Sequence, residues 1–328
     1  MSKLVTIYGG SGFVGRYIAR RMAKQGWRVR VAVRRPNEAL FVKPYGAVGQ
    51  VEPILCNIRD DASVRDAMRG ADAVVNCVGV LNSIGKNNFD AVHHEGAERV
   101  ARIAAEQGVG RLVQLSAIGA DTESDSEYSQ TKAQGEAGVL AAFPDAVILR
   151  PSVIFGQEDE FFNRFAGMTR FGPILPITGG STRFQPVFVD DVAAAAEKAV
   201  LGQAAPGIYE LGGPEVLTLR ALIDVMLDEV QRRRWVINLP SGIARLQAGV
   251  FDFIQWISGG LIKAPLTRDQ VRSLAHDNVV ADDAKGFAEL GISPTAMEAI
   301  LPDYLWRYRH GGQYASIQQS AKNLRAHG

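Results

Sequence analysis

Only two cysteines occur in the 328 residues, Cys56 and Cys77. Two are too few for a disulfide framework, so they read as small buried hydrophobes ending strands, in a reducing compartment. No apolar run reaches the roughly 18 residues that a membrane-spanning helix needs. The strand pattern already starts at Leu4, so the expectation is that no signal or transit peptide precedes it. An excess of one charge is lacking too: 36 Lys and Arg against 35 Asp and Glu leave a formal net charge of +1. The molecule as a whole therefore advertises no polyanionic or polycationic partner. Internal repeats and low-complexity tracts are missing, and with 47% hydrophobic residues the composition excludes a disordered or fibrous chain.

The balance breaks down locally. From Met1 to Asn37 there is no Asp or Glu, yet there are nine basic residues: Lys3, Arg16, Arg20, Arg21, Lys24, Arg28, Arg30, Arg34 and Arg35. Such a segment attracts phosphate. Short apolar runs alternate with helix-length amphipathic segments: LVTIY, a helix over 12–25, RVRVAV, VEPIL, a helix near 61–69, AVVNCV, a helix near 90–107, RLVQLS, a helix near 128–142, and AVILR. This alternation predicts an α/β fold, a Rossmann-like doubly wound parallel sheet whose Val-, Ile- and Leu-rich strands are covered on both faces. That domain is expected over residues 1–155, with strands near 187–212 rejoining it. A smaller C-terminal lobe follows over 156–328, in which Thr218 caps a helix.

Gly9, Gly12 and Gly15 follow the first strand and open a helix, with Ser11, Phe13 and Val14 between them. This spacing lets the chain turn tightly and present a helix N-terminus to a pyrophosphate. At the end of the second strand a dinucleotide-binding protein selective for NAD carries an acidic residue; here Arg34 and Arg35 stand instead, a pair suited to a ribose 2′-phosphate. The expected cofactor is therefore NADPH, the alternative being that both arginines are solvated loop charges. Asn57 and Ile58 lie where related folds flank the adenine, and Val78 and Gly79 near the adenosine ribose. No metal site is expected.

Tyr128 and Lys132 sit four apart at the start of a helix, which puts phenol and ammonium on one face. A lysine so placed can lower the tyrosine pKa and hold a nicotinamide ribose, leaving the phenol to exchange a proton with an alcohol. With the three glycines in this order, the chain resembles the extended and atypical short-chain dehydrogenase/reductase superfamily over about its first two hundred residues. The resemblance implies NAD(P) binding, with Ser116 and Pro151 on the cofactor side, and a Ser or Thr beside the tyrosine. In LVQLSAIGA, Ser116 falls about two positions early and Ile118 stands where that hydroxyl belongs. His93, followed by His94, replaces an Asn carried by many relatives, and both read as packing or surface residues.

LRPSVIFGQEDEFFNRFA, RFQPVFVDDVAAA and PLTRDQVRSLAHDNVV are similar to one branch, the dehydrogenase-like accessory subunits of respiratory complex I and their bacterial relatives. That resemblance implies a non-catalytic subunit holding NADPH and stabilising the peripheral arm near the membrane junction, with the other subunits of the arm as partners. Its place would be the cytoplasmic face of a bacterial inner membrane, or the matrix side in a mitochondrion. Two alternatives remain open: a free reductase or epimerase with Tyr128 as proton donor or acceptor, and a redox-sensing regulator with exchangeable nucleotide. An apolar stripe at Ile243, Leu246, Val250, Phe253 or Ile254, Ile257 and Leu261 has helical spacing and reads as a core helix or as a partner-facing or membrane-surface helix. The acid-free tail beyond Asp303, with Tyr304, Trp306, Arg307, Tyr308, Arg309 and His310, suits an acidic partner surface or a frayed end. Nucleic acid is not expected: the other basic cluster, Arg232 to Arg234, adjoins a helix end that favours cations anyway.

Overall fold

The computed structural model describes residues 2–83, 85–240, 242, 249 and 267–314. The apolar stripe read at 243–262 and the tail beyond Tyr314 lie outside the described residues.

Seven strands form one parallel sheet: β1 (Leu4–Tyr8), β2 (Arg28–Val33), β3 (Val51–Leu55), β4 (Ala73–Asn76), β5 (Arg111–Leu115), β6 (Val147–Pro151) and β7 (Gly207–Leu211). Their spatial order is β7-β6-β5-β4-β1-β2-β3. Every residue of β1 and β4 is buried, as strands covered on both faces must be. Helices α1 (Phe13–Lys24) and α6 (Val189–Leu201) cover one face through Ile18, Met22, Val192 and Ala196. On the other face lie α2 (Asp61–Ala67), α3 (Glu95–Glu106) and α4 (Glu127–Ala142), packed through Val64, Val100, Ile103 and Val139. This is the Rossmann-like α/β fold that the alternation predicts.

The expected helix over 90–107 is in fact two pieces. A π-helical turn at Asp90–His94 runs directly into α3. Gly135 of α4 packs against it so closely that a Cβ there would fall on the His93 carbonyl oxygen. Single π turns are frequent at functional sites, and this one contains the buried His93.

After β6 come α5 (Phe162–Met168) and, beyond β7, α7 (Leu219–Glu229), whose start is capped by Thr218 accepting from Ala221 N at 3.2 Å. Helices α8 (Arg268–Ser273) and α9 (Leu301–Leu305) follow. Phe155, Phe162, Leu175, Leu222, Met226 and Leu301 meet in a separate apolar cluster there. Ile174–Ile177 pairs in parallel with Trp235–Asn238, away from the main sheet, and Val187–Phe188 pairs with Ile154–Phe155. No helix among the described residues is long and apolar enough to cross a membrane.

Candidate functional site

Strand order reverses between β4 and β2 on either side of β1. Helices leave to opposite faces there, so a crevice opens outside the carboxyl ends of the strands, where doubly wound sheets take their ligands. The glycine loop lies at that point. Gly9 has φ +70°, a left-handed conformation that glycine adopts without a Cβ penalty. A Cβ on Gly15 would lie 2.7 Å from Gly10 Cα, so only glycine lets α1 press against the turn. Gly12 is the N-cap of α1 and offers no side-chain cap, and the first turn carries no acidic residue. The leading N–H groups of α1 therefore face the crevice with the positive end of the helix dipole behind them.

From this loop a cavity of about 1710 Å³ runs along the strand ends, lined by Gly9, Gly12, Phe13, Val14, Gly15 and Arg34. Further along, its wall is made by Cys77, Gly79, Ser116, Ile118, Tyr128, Lys132 and Pro151. The structure thus gathers most of the residues singled out from sequence. Ser11, Arg35, Asn57, Ile58 and Val78 are not among the lining residues. Arg35 pairs with Glu38 at 3.0 Å in the open. Asn57 accepts from the backbone of Arg59 at 3.2 Å, Ile58 is buried beside α2 and α3, and Val78 donates its N–H to Asn76 Oδ1 at 3.1 Å. Cys56 is buried, whereas Cys77 is partly exposed because it forms part of the cavity wall.

Ser116 Oγ is buried without a hydrogen-bond partner, a costly state for a hydroxyl unless a ligand satisfies it. Together with the uncapped helix start and the close-packed glycines, this orphan fits a dinucleotide laid along the cavity. Lys132 Nζ sits 5.8 Å from the centroid of the Tyr128 ring and donates to Leu115 O at 3.4 Å. Burial pulls the ammonium down to about 8, with Glu136 opposing. Burial pushes the Tyr128 phenol up to about 12, and the Asp269 carboxylate adds to the rise. Ile118, at the position expected to hold a hydroxyl, is buried; its N–H donates to Pro151 O at 3.1 Å.

Two participants, Asp269 and Asn278, escape sequence reasoning, and a third, His93, is read there only as a packing or surface residue. Asp269 on α8 accepts from Ser126 Oγ at 3.0 Å, Glu127 N at 2.8 Å and Tyr128 N at 3.3 Å, so a carboxylate from the C-terminal lobe caps the helix that presents Tyr128. Asn278 donates to Ile118 O at 3.2 Å and accepts from Ser152 Oγ at 2.6 Å, joining the ends of β5 and β6. His93 is buried beside Tyr128, ring centroids 5.2 Å apart, and its Nδ1 lies 3.3 Å from Thr131 Oγ1. His94 stays half-exposed, 2.9 Å from Asp90 Oδ1. A capping-box pattern at Thr267–Gln270 marks the start of α8, but nothing in it tells where Asp269 docks.

A parallel doubly wound sheet with a glycine loop at its switch point defines a nucleotide-binding protein of the dehydrogenase and epimerase class. The chain belongs to the NAD dependent epimerase/dehydratase family, whose model matches residues 5–212. Among its relatives, the mitochondrial NADH dehydrogenase [ubiquinone] 1 alpha subcomplex subunit 9 of Arabidopsis thaliana is 34% identical over 316 residues, covering 94% of this chain and 79% of that one. The mitochondrial NADH-ubiquinone oxidoreductase 40 kDa subunit of Neurospora crassa is 32% identical over 310 residues, covering 94% and 80%. The fold is also that of the Bordetella bronchiseptica enzyme WbmH in complex with NAD+, at TM-score 0.67 and 18% identity over 95% of this chain and 100% of that one.

Proposed function

We propose that this chain is an accessory subunit of respiratory complex I that holds NADPH as part of its structure and stabilises the peripheral arm. The observation that carries the assembly is the 34% identity spread over 94% of the chain to a protein named as a complex I subunit. The family match over residues 5–212 alone would not separate a subunit from a free enzyme; likeness continuing through the second lobe does.

A structural role for the dinucleotide is supported by the chemistry of the cavity. An activated tyrosine needs its phenol lowered by a nearby cation, yet burial and Asp269 hold Tyr128 at about 12. The Lys132 ammonium lies over the ring face. A buried isoleucine occupies the expected hydroxyl position. The bound group would supply hydride chemistry; the chain's own residues bind and enclose it. The helix N-terminus at Gly12 takes pyrophosphate, Arg34 takes a 2′-phosphate, and Ser116 and Lys132 hold the ribose end. A ligand bound only by the folded chain stabilises it by mass action. We place the subunit peripherally, with a membrane-surface contact, on the cytoplasmic face of a bacterial inner membrane or on the matrix side in a mitochondrion.

The test is a native gel of detergent-solubilised membranes. Co-migration with NADH:ubiquinone oxidoreductase activity, with NADPH released only on denaturation, is expected; a chain found solely in the soluble fraction would overturn the reading. A second reading, a free reductase or epimerase, is kept by the presence of Tyr128, Lys132 and Ser116 around one cavity. It requires NADPH turnover on a ketone or sugar panel that disappears in Tyr128→Phe.

A further inference from the structure

The small parallel pair Ile174–Ile177 and Trp235–Asn238 has the wrong residues on its outer side. Leu175 and Ile177 point into the lobe and are buried. The opposite face of a two-stranded ribbon turned to water carries polar side chains. Here the register sets Trp235 beside Ile174 and Ile237 beside Pro176, and Trp235 is 73% exposed, Ile174 49% and Ile237 45%. Phe171, just before the strand, is 91% exposed.

Positive charge borders one end of this face. Arg170 precedes Phe171, and Arg232, Arg233 and Arg234 lead into Trp235; neither 161–188 nor 230–241 contains an acidic residue. Arg234 spends its donors on Thr169 O at 3.0 and 2.8 Å and on Arg233 O at 2.7 Å, and Arg232 spends one on Tyr308 O at 2.8 Å. Arg170 donates to Arg307 O at 2.9 Å and stacks over the Tyr308 ring. These partners are carbonyl oxygens and a ring, so they fix the guanidinium groups without neutralising them.

We propose that this face, with Phe171, Ile174, Trp235 and Ile237 at its centre and the arginines at its edge, is a contact surface for a bilayer containing anionic lipid. Exposed aromatic and branched apolar side chains insert at the headgroup level, and arginines beside them pair with lipid phosphate. An acidic protein surface would use the arginines but leave the flat apolar centre in contact with charge; a bilayer uses both. The face lies apart from the dinucleotide cleft. It locates the membrane contact included in the reading above, but its test needs no assembly: failure here leaves the native-gel result standing, and the reverse holds too.

The full-length chain is mixed with phosphatidylcholine vesicles, with and without phosphatidylglycerol, and followed by co-sedimentation and tryptophan emission. Binding only to the anionic vesicles, weakened by added salt and accompanied by a blue shift that Trp235→Phe removes, is expected. Phe171→Ser with Trp235→Ser weakens binding about tenfold or more. Arg233→Glu, an exposed position that leaves folding intact, weakens it about fivefold or more. Equal vesicle binding by these variants and the parent chain, or no binding at low salt, overturns the proposal. So does a patch-dependent dimer in sedimentation velocity, or patch-dependent binding to polyglutamate in place of vesicles.

Discussion

The backbone N–H of Val80 donates to Nε2 of His93 at 3.0 Å. That makes Nε2 an acceptor and leaves the ring proton on Nδ1, facing Thr131 Oγ1 at 3.3 Å. His93 is therefore a neutral crosslink between the loop after β4 and helix α4. Burial first, then the Lys132 charge, push its pKa down to about 3 from the ordinary 6.5.

A neutral buried histidine makes stability depend on pH. Between about 3 and 6.5 the unfolded chain takes up a proton that the folded one refuses, so stability falls as pH falls through that window and is unaffected by this group above it. The slope from His93 alone is about 1.4 kcal/mol per pH unit. Chemical denaturation of the parent and of His93→Asn at a series of pH values should show a shallower acid loss in the variant.

Arg34 lines the cavity, whereas Arg35 is exposed and paired with Glu38. Arg34→Ala should therefore reduce NADPH affinity by about tenfold to hundredfold, the loss of one charge-assisted contact, with little change for NADH. Arg35→Ala should change neither appreciably. Dinucleotide fluorescence titration of the stripped protein reads both constants.

Gly15→Ala places a methyl group against the backbone of Gly9 and Gly10, with Gly10 Cα only 2.7 Å away. Neither neighbour is a flexible side chain, so α1 must shift off the turn. The expected result is purified protein without retained dinucleotide and with a lower Tm, measured by absorbance after denaturation and by thermal melting.

Arg150 holds Glu136 of α4 at 2.9 and 2.6 Å and reaches Glu210 of β7 at 3.4 Å, and the Glu136 side chain is only 5% exposed. Removing one partner of such a buried pair strands the other charge, at a cost of about 3–5 kcal/mol. Arg150→Met should lose that much in urea denaturation, and Arg150→Met with Glu136→Gln should recover part of it.

What the sequence makes legible is what depends on neighbours along the chain. Strands such as LVTIY and AVVN are mostly apolar with no polar alternation because both faces are buried. Gly9, Gly12 and Gly15 announce a turn that closes within seven residues. Tyr128 and Lys132 share a face by helical spacing alone. The rest depends on segments that meet from far apart. Asp269 reads as one acid in a short helix until α8 is seen on the first turn of α4. His93 reads as a packing histidine because a π turn leaves no periodic trace strong enough to predict where its ring points. Arg232 to Arg234 look like cations at a helix end, since the pairing of Trp235 with Ile174 spans 61 positions and no local pattern encodes it.

The cap on α4 has a consequence for how the protein is made. Ser126 and Asp269 are 143 positions apart, so a nascent chain that has emerged only through β6 already possesses the glycine turn and Tyr128 but not the carboxylate that secures the helix carrying the tyrosine. Contacts of such long sequence separation form late, after the entropy of closing the loop has been met. The rim of the cavity is thus completed by a segment synthesised after all seven strands of the sheet, and a chain stalled before it carries the glycine turn without the carboxylate that caps the tyrosine's helix.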